Sequence, residues 1–395
     1  MPRRIGIVAD DLTGAADTAV AFLRARMSAS VRFPRVDLVT ELAAIRSGAV
    51  AIDSGTRSGE AVKAAPAVAA WTGAFRRAGF DILYKKIDSL LRGHVALEVQ
   101  AAIAAWTPSS VALLAPAFPA VGRTTRAGRL MVDGRARPGV PAIADLFAGV
   151  AAVSSIDLDA VRDTDLPARL RRVSTGAGVI VCDAETDADL ARIAHAGLAL
   201  NQPVVWVGSG GLAQALAGAL SEPNAAGQIE RVRVCGPILA VVGSLTEIAR
   251  VQARRLIAEG VTNVTVSPGD ITGMALPLRV DAALSRSEDV LVTIDAASPV
   301  AGEGDARLVA ELGAALVSCV RRTVGGLLLT GGDTATGVLR ALECSGLDLI
   351  AEVEPGVVLS STAGPRAWPV ITKSGSFGAA DTLANAMRTL RGMRE

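Results

Sequence analysis

The chain has 395 residues, of which 50% are hydrophobic and 20% charged, with 40 basic residues against 39 acidic ones. This length exceeds what one hydrophobic core usually supports, so we expect two domains. The composition excludes a disordered or collagen-like chain. A formal net charge of +1 argues against nucleic-acid binding through bulk charge.

The cysteine content argues against a zinc site and favours a reducing compartment. Four cysteines lie far apart without a CxxC pair, and the chain has two histidines, so we expect reduced thiols. The N-terminal residues lead directly into an apolar strand and lack the pattern of a signal peptide. No apolar run of about 18 residues occurs without interruption. These features predict a soluble cytoplasmic protein with no membrane or nucleic-acid partner.

Apolar strands alternate with helices in the first half of the chain, and polar residues gather just after the strands. Predicted strands cover residues 5–9, 36–39, 49–52, 82–85, 111–115, 179–182 and 204–207. Predicted helices cover residues 13–26, 60–77 and 95–106. Strands that are apolar throughout indicate a parallel α/β sheet, and such sheets bind ligands at the carboxyl ends of their strands.

A second α/β alternation follows a break at residues 221–234, where the helical pattern gives way to polar and turn residues. Its predicted strands cover residues 239–242, 264–267, 290–294 and 326–329. We therefore predict two α/β domains with largely parallel sheets, over residues 1–228 and 229–395, with the active site in the cleft between them.

Asp10 and Asp11 stand between the first predicted strand and the first predicted helix. Two adjacent carboxylates at a strand end can act as a base and as an acceptor for substrate hydroxyls. The alternative is that one of them is the N-cap of the helix, with Thr13 or Asp17 stabilising the first turn. On this stretch alone the two interpretations are balanced, although two carboxylates are more than a cap requires.

The densest polar cluster of the first half follows the strand at 82–85. Its members are Lys85, Lys86, Asp88, Ser89, Arg92 and His94. Strand alternation sends the two lysines to opposite sides, so at most one of them points with Asp88 toward a given site. Cations there would hold a substrate carboxylate, and Asp88 and Ser89 would bind hydroxyls. The alternative is a solvated turn with an exposed salt bridge.

Arg57 and the scarcity of lysine add to this pattern. Arg57 follows the strand at 49–52 and could supply a further carboxylate-binding fork, or lie in an ordinary loop. The chain has four lysines, and three of them, Lys85, Lys86 and Lys373, lie in the motifs described here. The rigid polar segment at residues 116–128 is either a lid or wall of the substrate pocket, or a structural crossover.

Three glycine-bearing turns of the second half each precede a predicted helix. They are Gly243-Ser244-Leu245-Thr246, Thr330-Gly331-Gly332-Asp333-Thr334 and Lys373-Ser374-Gly375-Ser376. Small residues at a helix N-terminus expose backbone N–H groups that suit a phosphate. The chain has no Walker A motif and no protein-kinase glycine-rich loop, so a nucleotide site here is of another type. The turn at 208–211 lacks the spacing of a dinucleotide site, which argues against an NAD-dependent dehydrogenase.

Five stretches, in this order, resemble the four-carbon acid sugar kinase family over nearly the whole chain. They are residues 9–15, 84–89, 116–125, 330–334 and 373–378. The resemblance implies ATP-dependent phosphorylation of the terminal hydroxyl of threonate, erythronate or 3-oxo-tetronate. The substrate-binding residues that it implies are Asp10, Arg57, Lys85, Lys86, Ile87, Asp88 and Ser89, to which the polar cluster adds Arg92. The ATP-binding residues that it implies are Ser244, Gly331, Gly332, Asp333, Thr334 and Gly375, to which the third glycine turn adds Lys373.

Two positions depart from the family pattern. Leu90 and Ala249 stand where the family commonly has threonine. The first departure bears on the identity of the substrate, and the second alters a helix contact.

The predicted mechanism is in-line phosphoryl transfer, with Mg²⁺ bridging ATP oxygens and domain closure excluding water. The base is Asp10 or Asp11, with Asp88 as a third candidate, and Lys373 neutralises phosphate charge. The metal ligands stay unassigned. The alternatives are a kinase for a sugar acid of another length and a non-catalytic sugar-acid-binding protein. A homodimer is the prior for a metabolic enzyme.

Overall fold

A computed structural model of the protein shows two compact units, Met1–Gly227 (unit 1) and Gln228–Glu395 (unit 2). The structure describes residues 3–35, 38–57, 59–107, 109–176, 178–221, 232–271, 275–295 and 306–394.

Unit 1 alternates strands and helices along most of its length. Its strands are β1 (Arg4–Ala9), β2 (Ala29–Arg32), β3 (Gly48–Asp53), β4 (Ile82–Lys86), β5 (Val111–Ala115), β6 (Arg123–Arg126), β7 (Arg129–Val132), β8 (Arg135–Ala136), β9 (Val153–Ile156), β10 (Val179–Cys182) and β11 (Val204–Gly208). Its α-helices are α1 (Leu12–Arg24), α2 (Leu38–Ala44), α3 (Ala61–Arg77), α4 (Val95–Trp106), α5 (Leu158–Arg162), α6 (Leu166–Ser174), α7 (Asp187–Leu198) and α8 (Gly210–Leu220). Short 3₁₀ helices lie at Pro119–Val121 and Ile143–Phe147.

The sheet of unit 1 is parallel, in the order β2-β3-β1-β4-β11-β5-β10-β9. Its central strands are buried except at Arg4, the first residue of β1, and they are mostly apolar, as is typical of strands covered on both faces. Ala9 at the end of β1 lies level with Asp53 of β3 and Lys86 of β4. The loops that follow these three strands are therefore neighbours.

The strand predicted at residues 36–39 is wrong. Leu38 and Val39 lie in α2, residues 36–37 fall outside the described residues, and the edge strand of this region is β2. A run of four residues with alternating apolar character fits a strand and a helix about equally well. Leu38 and Leu42 are both fully buried, and this spacing of one helical turn belongs to a helix.

Strands β6, β7 and β8 form a separate antiparallel sheet, here called the arm (Arg123–Ala136). Its base is fixed to the loop after β10, because the Thr125 N–H donates to the Ala184 carbonyl and the Ala184 N–H donates to Thr125 Oγ1. The Gly128 N–H also donates to the Asp183 carboxylate at 3.0 Å. Part of the segment at 116–128, which the sequence left open between lid and crossover, thus begins an ordered β-structure.

Unit 2 also alternates strands and helices, but it includes an antiparallel strand. Its strands are β12 (Ile238–Val242), β13 (Thr262–Val266), β14 (Val290–Ile294), β15 (Gly326–Thr330), β16 (Gly346–Glu354), β17 (Val357–Ala363) and β18 (Pro369–Lys373). Its helices are α9 (Glu247–Ala258), α10 (Pro268–Ile271), α11 (Ala275–Leu284), α12 (Ala306–Thr323), α13 (Gly332–Ala341) and α14 (Thr382–Arg391). The order β13-β14-β12-β15-β18 is parallel, whereas β17 runs antiparallel to β18 and β16.

Each unit has its own apolar core of strand and helix side chains. The predicted α/β class with largely parallel sheets is confirmed in both units. Among the helices in the described part of the chain, none is both long and apolar enough to cross a membrane.

Candidate functional site

Three adjacent strands of unit 1 lead into the polar residues that the sequence singled out. β1 is followed by Asp10 and Asp11, β3 by the loop to Arg57, and β4 by Asp88. Because parallel neighbours end at the same edge of a sheet, these residues gather at the edge where α/β sheets bind ligands.

Asp11 is the N-cap of α1. Its Oδ1 accepts a hydrogen bond from the Gly14 N–H at 2.9 Å, and its Oδ2 accepts one from the Thr13 hydroxyl at 2.8 Å. One of the two adjacent carboxylates therefore caps the helix, as one of the two interpretations required. Asp10 is the other carboxylate, and it is 3% exposed.

Arg57 bridges both carboxylates. Its Nε and Nη2 donate to the two oxygens of Asp10, each at 2.8 Å, and its Nη1 donates to Asp11 Oδ2 at 2.6 Å. The same Nη2 lies 4.0 Å from Asp88 Oδ1. The sequence predicted a fork for a substrate carboxylate, but the carboxylates that this fork binds here are the protein's own.

Asp88 is held in the same way by Arg92. The Nε of Arg92 donates to Asp88 Oδ2 at 2.8 Å, and its Nη2 donates to Oδ1 at 3.1 Å. The backbone N–H of Leu90 adds a bond to Oδ2 at 3.2 Å, so the departure from the family pattern at this position keeps the turn's backbone bond. The neighbouring Ser89 is partly exposed, and Ile87 is buried.

Lys85 and Lys86 point in different directions, as strand alternation requires. Lys85 is fully buried and pairs with Glu98 of α4 at 2.8 Å, and its ammonium also donates to the Lys86 carbonyl at 2.6 Å. The ammonium of Lys85 is therefore bound to groups of the protein interior. Lys86 turns toward α1, because a Cβ at Gly14 would lie 2.8 Å from its Nζ.

Lys86 is the cation of this cluster that is available to a ligand. It is 5% exposed, and within the described residues its Nζ has no hydrogen-bond acceptor and no carboxylate within 4.0 Å. It lies at the N-terminal end of α1, where the helix dipole is positive. Two positive sources at one point favour the binding of an anion there.

The charges of the cluster fix its ionisation. Burial would raise the pKa of Asp10, but Arg57, Lys86 and Lys85 outweigh it and hold that pKa below the usual value. Burial would likewise raise the pKa of Asp88, and Arg92, Arg57 and Lys86 hold it far below the usual value. Both carboxylates are therefore anions at neutral pH, and they accept hydrogen bonds.

The N-terminus of α8 explains why the turn at 208–211 is a poor phosphate site. A Cβ at Gly210 would lie 2.6 Å from Asp17 Oδ2 and 2.8 Å from the Phe118 ring. The carboxylate of Asp17 thus stands at the positive end of the helix dipole, where a phosphate would otherwise sit.

The three glycine turns of unit 2 also meet at one edge, because β12, β15 and β18 are neighbours. A Cβ at Gly243 would lie 2.1 Å from Thr334 Oγ1, and a Cβ at Gly375 would lie 2.1 Å from Ser244 Oγ. These approaches require glycine. Gly331, with a φ of 101°, is the N-cap of α13, and Gly332, Asp333 and Thr334 form the first turn of that helix.

Residues 374–379 are here called the C-terminal loop. Side chains donate hydrogen bonds to four of its backbone carbonyls. Thr246 Oγ1 donates to the Gly375 carbonyl at 2.7 Å. Gln252 Nε2 donates to the carbonyls of Phe377 and Ala379 at 3.2 and 2.7 Å. Lys373 Nζ donates to the carbonyls of residues 374 and 377 at 2.5 and 2.9 Å.

Four of the six N–H groups of the same loop are left without an acceptor in the part of the chain that the structure describes. They are those of Ser374, Gly375, Ser376 and Gly378. A loop with bound carbonyls and unpaired N–H groups is suited to phosphate oxygens.

Lys373 is fully buried at the end of β18. Burial lowers its pKa to about 8, and the charge of Glu354 opposes this shift. The sequence predicted that this lysine neutralises phosphate charge, whereas its ammonium binds carbonyls of the C-terminal loop.

Two residues that support these loops, Glu98 and Gln252, were not predicted from the sequence. They are 2% and 0% exposed, and each lies on a helix face that otherwise buries apolar side chains. A polar residue on an apolar helical stripe was the signal that could have found them, because such a residue needs a hydrogen-bond partner when buried.

A metal centre made by the protein alone is not seen in the described part of the chain. Across the described ranges, no three His, Cys, Asp or Glu side chains are grouped so that they could hold a metal ion. Asp10, Asp11 and Asp88 accept hydrogen bonds from arginines instead.

The fold defines a two-domain α/β protein, and two family models match it. The model of a sugar-binding N-terminal domain matches residues 5–216, and that of a nucleotide-binding C-terminal domain matches residues 239–383. A crystal structure of a Salmonella typhimurium LT2 protein has the same fold. It superimposes with a TM-score of 0.79 at 20% identity, over 98% of this chain and 99% of that one.

Characterised relatives are similar over nearly the full length. D-threonate kinase of Bordetella bronchiseptica is 36% identical, covering 99% of this chain and 98% of the relative. D-threonate kinase of Cupriavidus necator is 37% identical, covering 97% of each. D-erythronate kinase of Heliobacterium modesticaldum is 27% identical, covering 95% of this chain and 94% of the relative. The chain belongs to the four-carbon acid sugar kinase family, as its motifs predicted.

Proposed function

We propose that the protein is an ATP-dependent kinase that phosphorylates the terminal hydroxyl of a four-carbon sugar acid, D-threonate. The observation that carries the proposal is that one chain has two complementary sets of groups. Unit 1 has the buried cation Lys86 among ordered carboxylates, and unit 2 has a loop with N–H groups that have no acceptor among the described residues. The choice of D-threonate follows from the relatives that are 36% and 37% identical.

Unit 1 supplies groups that match a sugar acid. The Lys86 ammonium, 5% exposed and at the N-terminus of α1, would bind the carboxylate. Asp10 and Asp88 are ionised acceptors that would bind hydroxyls, together with Ser89. Arg57 and Arg92 would fix the positions of these carboxylates, which matters because a displacement of about 1 Å can cost a hundredfold in rate.

Asp10 is the residue that we assign to the attacking hydroxyl. Asp10 accepts two hydrogen bonds, both from Arg57. In contrast, Asp11 accepts three and Asp88 accepts four. Of the three carboxylates, Asp10 therefore has the most acceptor capacity left for a hydroxyl. The hydroxyl oxygen forms the bond to the γ-phosphorus, the bond to the ADP oxygen breaks, and the proton passes to Asp10. The low pKa of Asp10 makes it a weak base, so its main contribution is to orient the hydroxyl, as a loose transition state requires.

Unit 2 supplies groups that match the phosphates of ATP. The N-terminal turn of α13 and the C-terminal loop both present N–H groups. Mg²⁺ enters as part of the MgATP substrate, because it is usually held by few carboxylates and by phosphate oxygens. On this proposal residues 1–228 bind the acid and residues 229–395 bind the nucleotide.

ADP release tests the proposal. The purified protein with MgATP is assayed on D- and L-threonate, D- and L-erythronate and 3-oxo-tetronate, with five- and six-carbon acids as controls. D-threonate should give the highest kcat/KM. A higher value on another acid would replace the substrate, and ATP binding without ADP release on any acid would favour a non-catalytic binding protein.

The Asp10→Asn variant tests the assigned residue. Its kcat should fall by about a hundredfold or more, while ATP affinity stays unchanged. Asp159→Asn, on the exposed side of α5, is the matched control and should behave as the wild type. An unchanged kcat in the Asp10 variant would remove Asp10 from the mechanism.

A further inference from the structure

Lys373 holds the C-terminal loop through hydrogen bonds to its backbone carbonyls. Its ammonium donates to the carbonyls of Ser374 and Phe377, at 2.5 and 2.9 Å. The Phe377 carbonyl also accepts from Gln252, and Thr246 binds the Gly375 carbonyl. Three side chains from three places in unit 2 thus hold carbonyls of one short loop.

Burial separates Lys373 from the surface that a nucleotide would occupy. The residue is 0% exposed, whereas Ser376 and Gly378 of the same loop are exposed. An ammonium has three donors, and two of them are bound to these carbonyls. A buried ammonium without partners would be very unfavourable, so the carbonyl bonds are what makes this position tolerable for a charge.

The direction of the carbonyls decides the direction of the N–H groups. Within a trans peptide unit the carbonyl and the N–H of the next residue point in opposite directions, so a carbonyl held on one side leaves that N–H on the other side. The N–H groups of Gly375 and Gly378 belong to the same peptide units as the two carbonyls that Lys373 holds, and they have no acceptor among the described residues.

We propose that Lys373 is a positioning residue for the nucleotide. It binds the carbonyls of Ser374 and Phe377 and thereby turns the N–H groups of Gly375 and Gly378 toward the phosphates of ATP, without touching the phosphates itself. This inference deepens the proposed function and rests on it.

The Lys373→Met variant removes the ammonium and keeps the length of the side chain. Its KM for ATP should rise about tenfold to about a hundredfold, the effect of losing one or two charge-assisted hydrogen bonds. The KM for the acid should stay constant. Lys63→Met, at a position with a 74% exposed side chain, is the matched control. An equal rise in both KM values would overturn the proposal, because it would indicate general damage.

The Lys373→Arg variant distinguishes two roles of the lysine: binding of the loop carbonyls, and the effect of a positive charge near the phosphates. A guanidinium is larger and planar and does not fit a fully buried site that binds two carbonyls, so the KM for ATP should stay high. A recovery to the wild-type value would overturn the proposal, since it would show that a positive charge near the phosphates is sufficient.

Hydrogen exchange without nucleotide tests the loop directly. The N–H groups of Phe377 and Ala379 donate to Ser374 O and Thr382 Oγ1, and the Gly331 N–H donates to the Lys373 carbonyl. Exchange at these positions should become faster in Lys373→Met and in Gln252→Leu, and unchanged exchange in both would overturn the proposal. This readout needs no turnover, so it remains decisive even if the wild type phosphorylates no acid.

The pH dependence of the wild type gives a test without substitution. As the pH rises through about 8, Lys373 becomes neutral and its hydrogen bonds weaken, so the KM for ATP should rise. Glu354 of β16 is the charged group of the described chain that acts on this lysine. Above this pH the unfolded state binds more protons at this group than the folded state, so its contribution to stability increases, and unfolding is not the cause. An alkaline rise of equal size in Lys373→Met would overturn the proposal.

Discussion

Arg57 is the residue that fixes the positions of the acidic side chains Asp10 and Asp11. Its three nitrogens contact Asp10 and Asp11, and it lies at the edge of contact with Asp88. A planar fork of donors can satisfy two carboxylates at once, which the point charge of a lysine cannot do. The side chain of Asp10 is almost fully buried, so losing its partner would leave an unpaired buried charge.

The Arg57→Lys variant tests this dependence. We expect the free energy of unfolding to fall by about 1.5 to 3 kcal/mol, the range for a lost hydrogen bond to a charged group. The kcat/KM for the acid should fall more than tenfold, and the KM for ATP should not change. Chemical denaturation and steady-state kinetics measure these quantities. Arg126→Lys on the arm, with a 61% exposed side chain, is the control, and equal behaviour of the two variants would contradict the assignment.

The lowered pKa values of Asp10 and Asp88 predict sensitivity to acid. For a carboxylate whose pKa is lowered by folding, the stabilisation is present above the unfolded value of about 3.9 and is lost as the pH falls below it. The wild type should therefore lose free energy of unfolding between about pH 4 and pH 2. Urea denaturation at several pH values measures this loss.

Asp88→Asn is the comparison for that experiment. The variant should be less stable than the wild type at pH 7 and should depend less on pH below 4, because its side chain does not titrate. A pH dependence identical to that of the wild type would show that Asp88 does not contribute to the acid response.

The lysines show what the sequence could predict about single residues. Their scarcity and position marked the loops at the strand ends as places to look, and strand alternation separated Lys85 from Lys86. The use of each ammonium could not be predicted, because it depends on partners distant in sequence. Lys85 is the last residue but one of β4 and Lys373 the last of β18; both are fully buried and donate to the carbonyl of the next residue. This shared use of lysine to hold a strand-end turn became visible only in three dimensions.

At the scale of elements, the glycine turns of unit 2 depend on close backbone approaches. A Cβ at Gly375 would lie 2.1 Å from Ser244 Oγ, so Gly375→Ala should displace the C-terminal loop from the turn after β12. We expect a rise in the KM for ATP of tenfold or more and a small effect on the KM for the acid. Steady-state kinetics measures both.

Gly218→Ala is the matched glycine substitution. This glycine is exposed in α8, and a Cβ there would meet nothing within 4 Å. The change should raise the free energy of unfolding by up to about 1 kcal/mol, because alanine favours the helix, with kinetics unchanged. If both alanine variants had wild-type kinetics, the close approach at Gly375 would have no functional role.

Most elements of the parallel sheets could be predicted from the sequence, since they are apolar runs bounded by polar turns. Strands β5, β10 and β14 have the predicted bounds. The arm and the antiparallel strands β16 and β17 were not predicted. The arm carries several arginines and is held by contacts with residues 183–185, about 55 residues later in the chain, which no local pattern reports.

At the scale of the molecule, the two units carry two different kinds of chemistry. The loops after β1, β3 and β4 present carboxylates and a cation, whereas those after β12, β15 and β18 present backbone N–H groups. The first set suits hydroxyls and a carboxylate, and the second suits phosphates. Both sets follow from one rule, that the carboxyl ends of neighbouring parallel strands gather polar groups at one edge.

Ligand-specific protection tests this division of chemistry. A ligand that binds only the folded state stabilises it by about 2.7 kcal/mol when its concentration is a hundred times its Kd. D-threonate alone should therefore raise the melting temperature and slow hydrogen exchange in the loops after β1, β3 and β4. MgATP alone should slow exchange in the loops after β12, β15 and β18.

The two ligands also control for each other, because each defines the loops that the other should leave unchanged. L-erythronate is the control for the acid, and it should protect less than D-threonate at equal concentration. Protection of the unit 2 loops by D-threonate alone, with unit 1 unaffected, would contradict the assignment of the acid to unit 1. Protection of the unit 1 loops by MgATP alone, with unit 2 unaffected, would contradict the assignment of the nucleotide to unit 2. Backbone N–H groups exchange more slowly where they gain a phosphate oxygen as a hydrogen-bond acceptor.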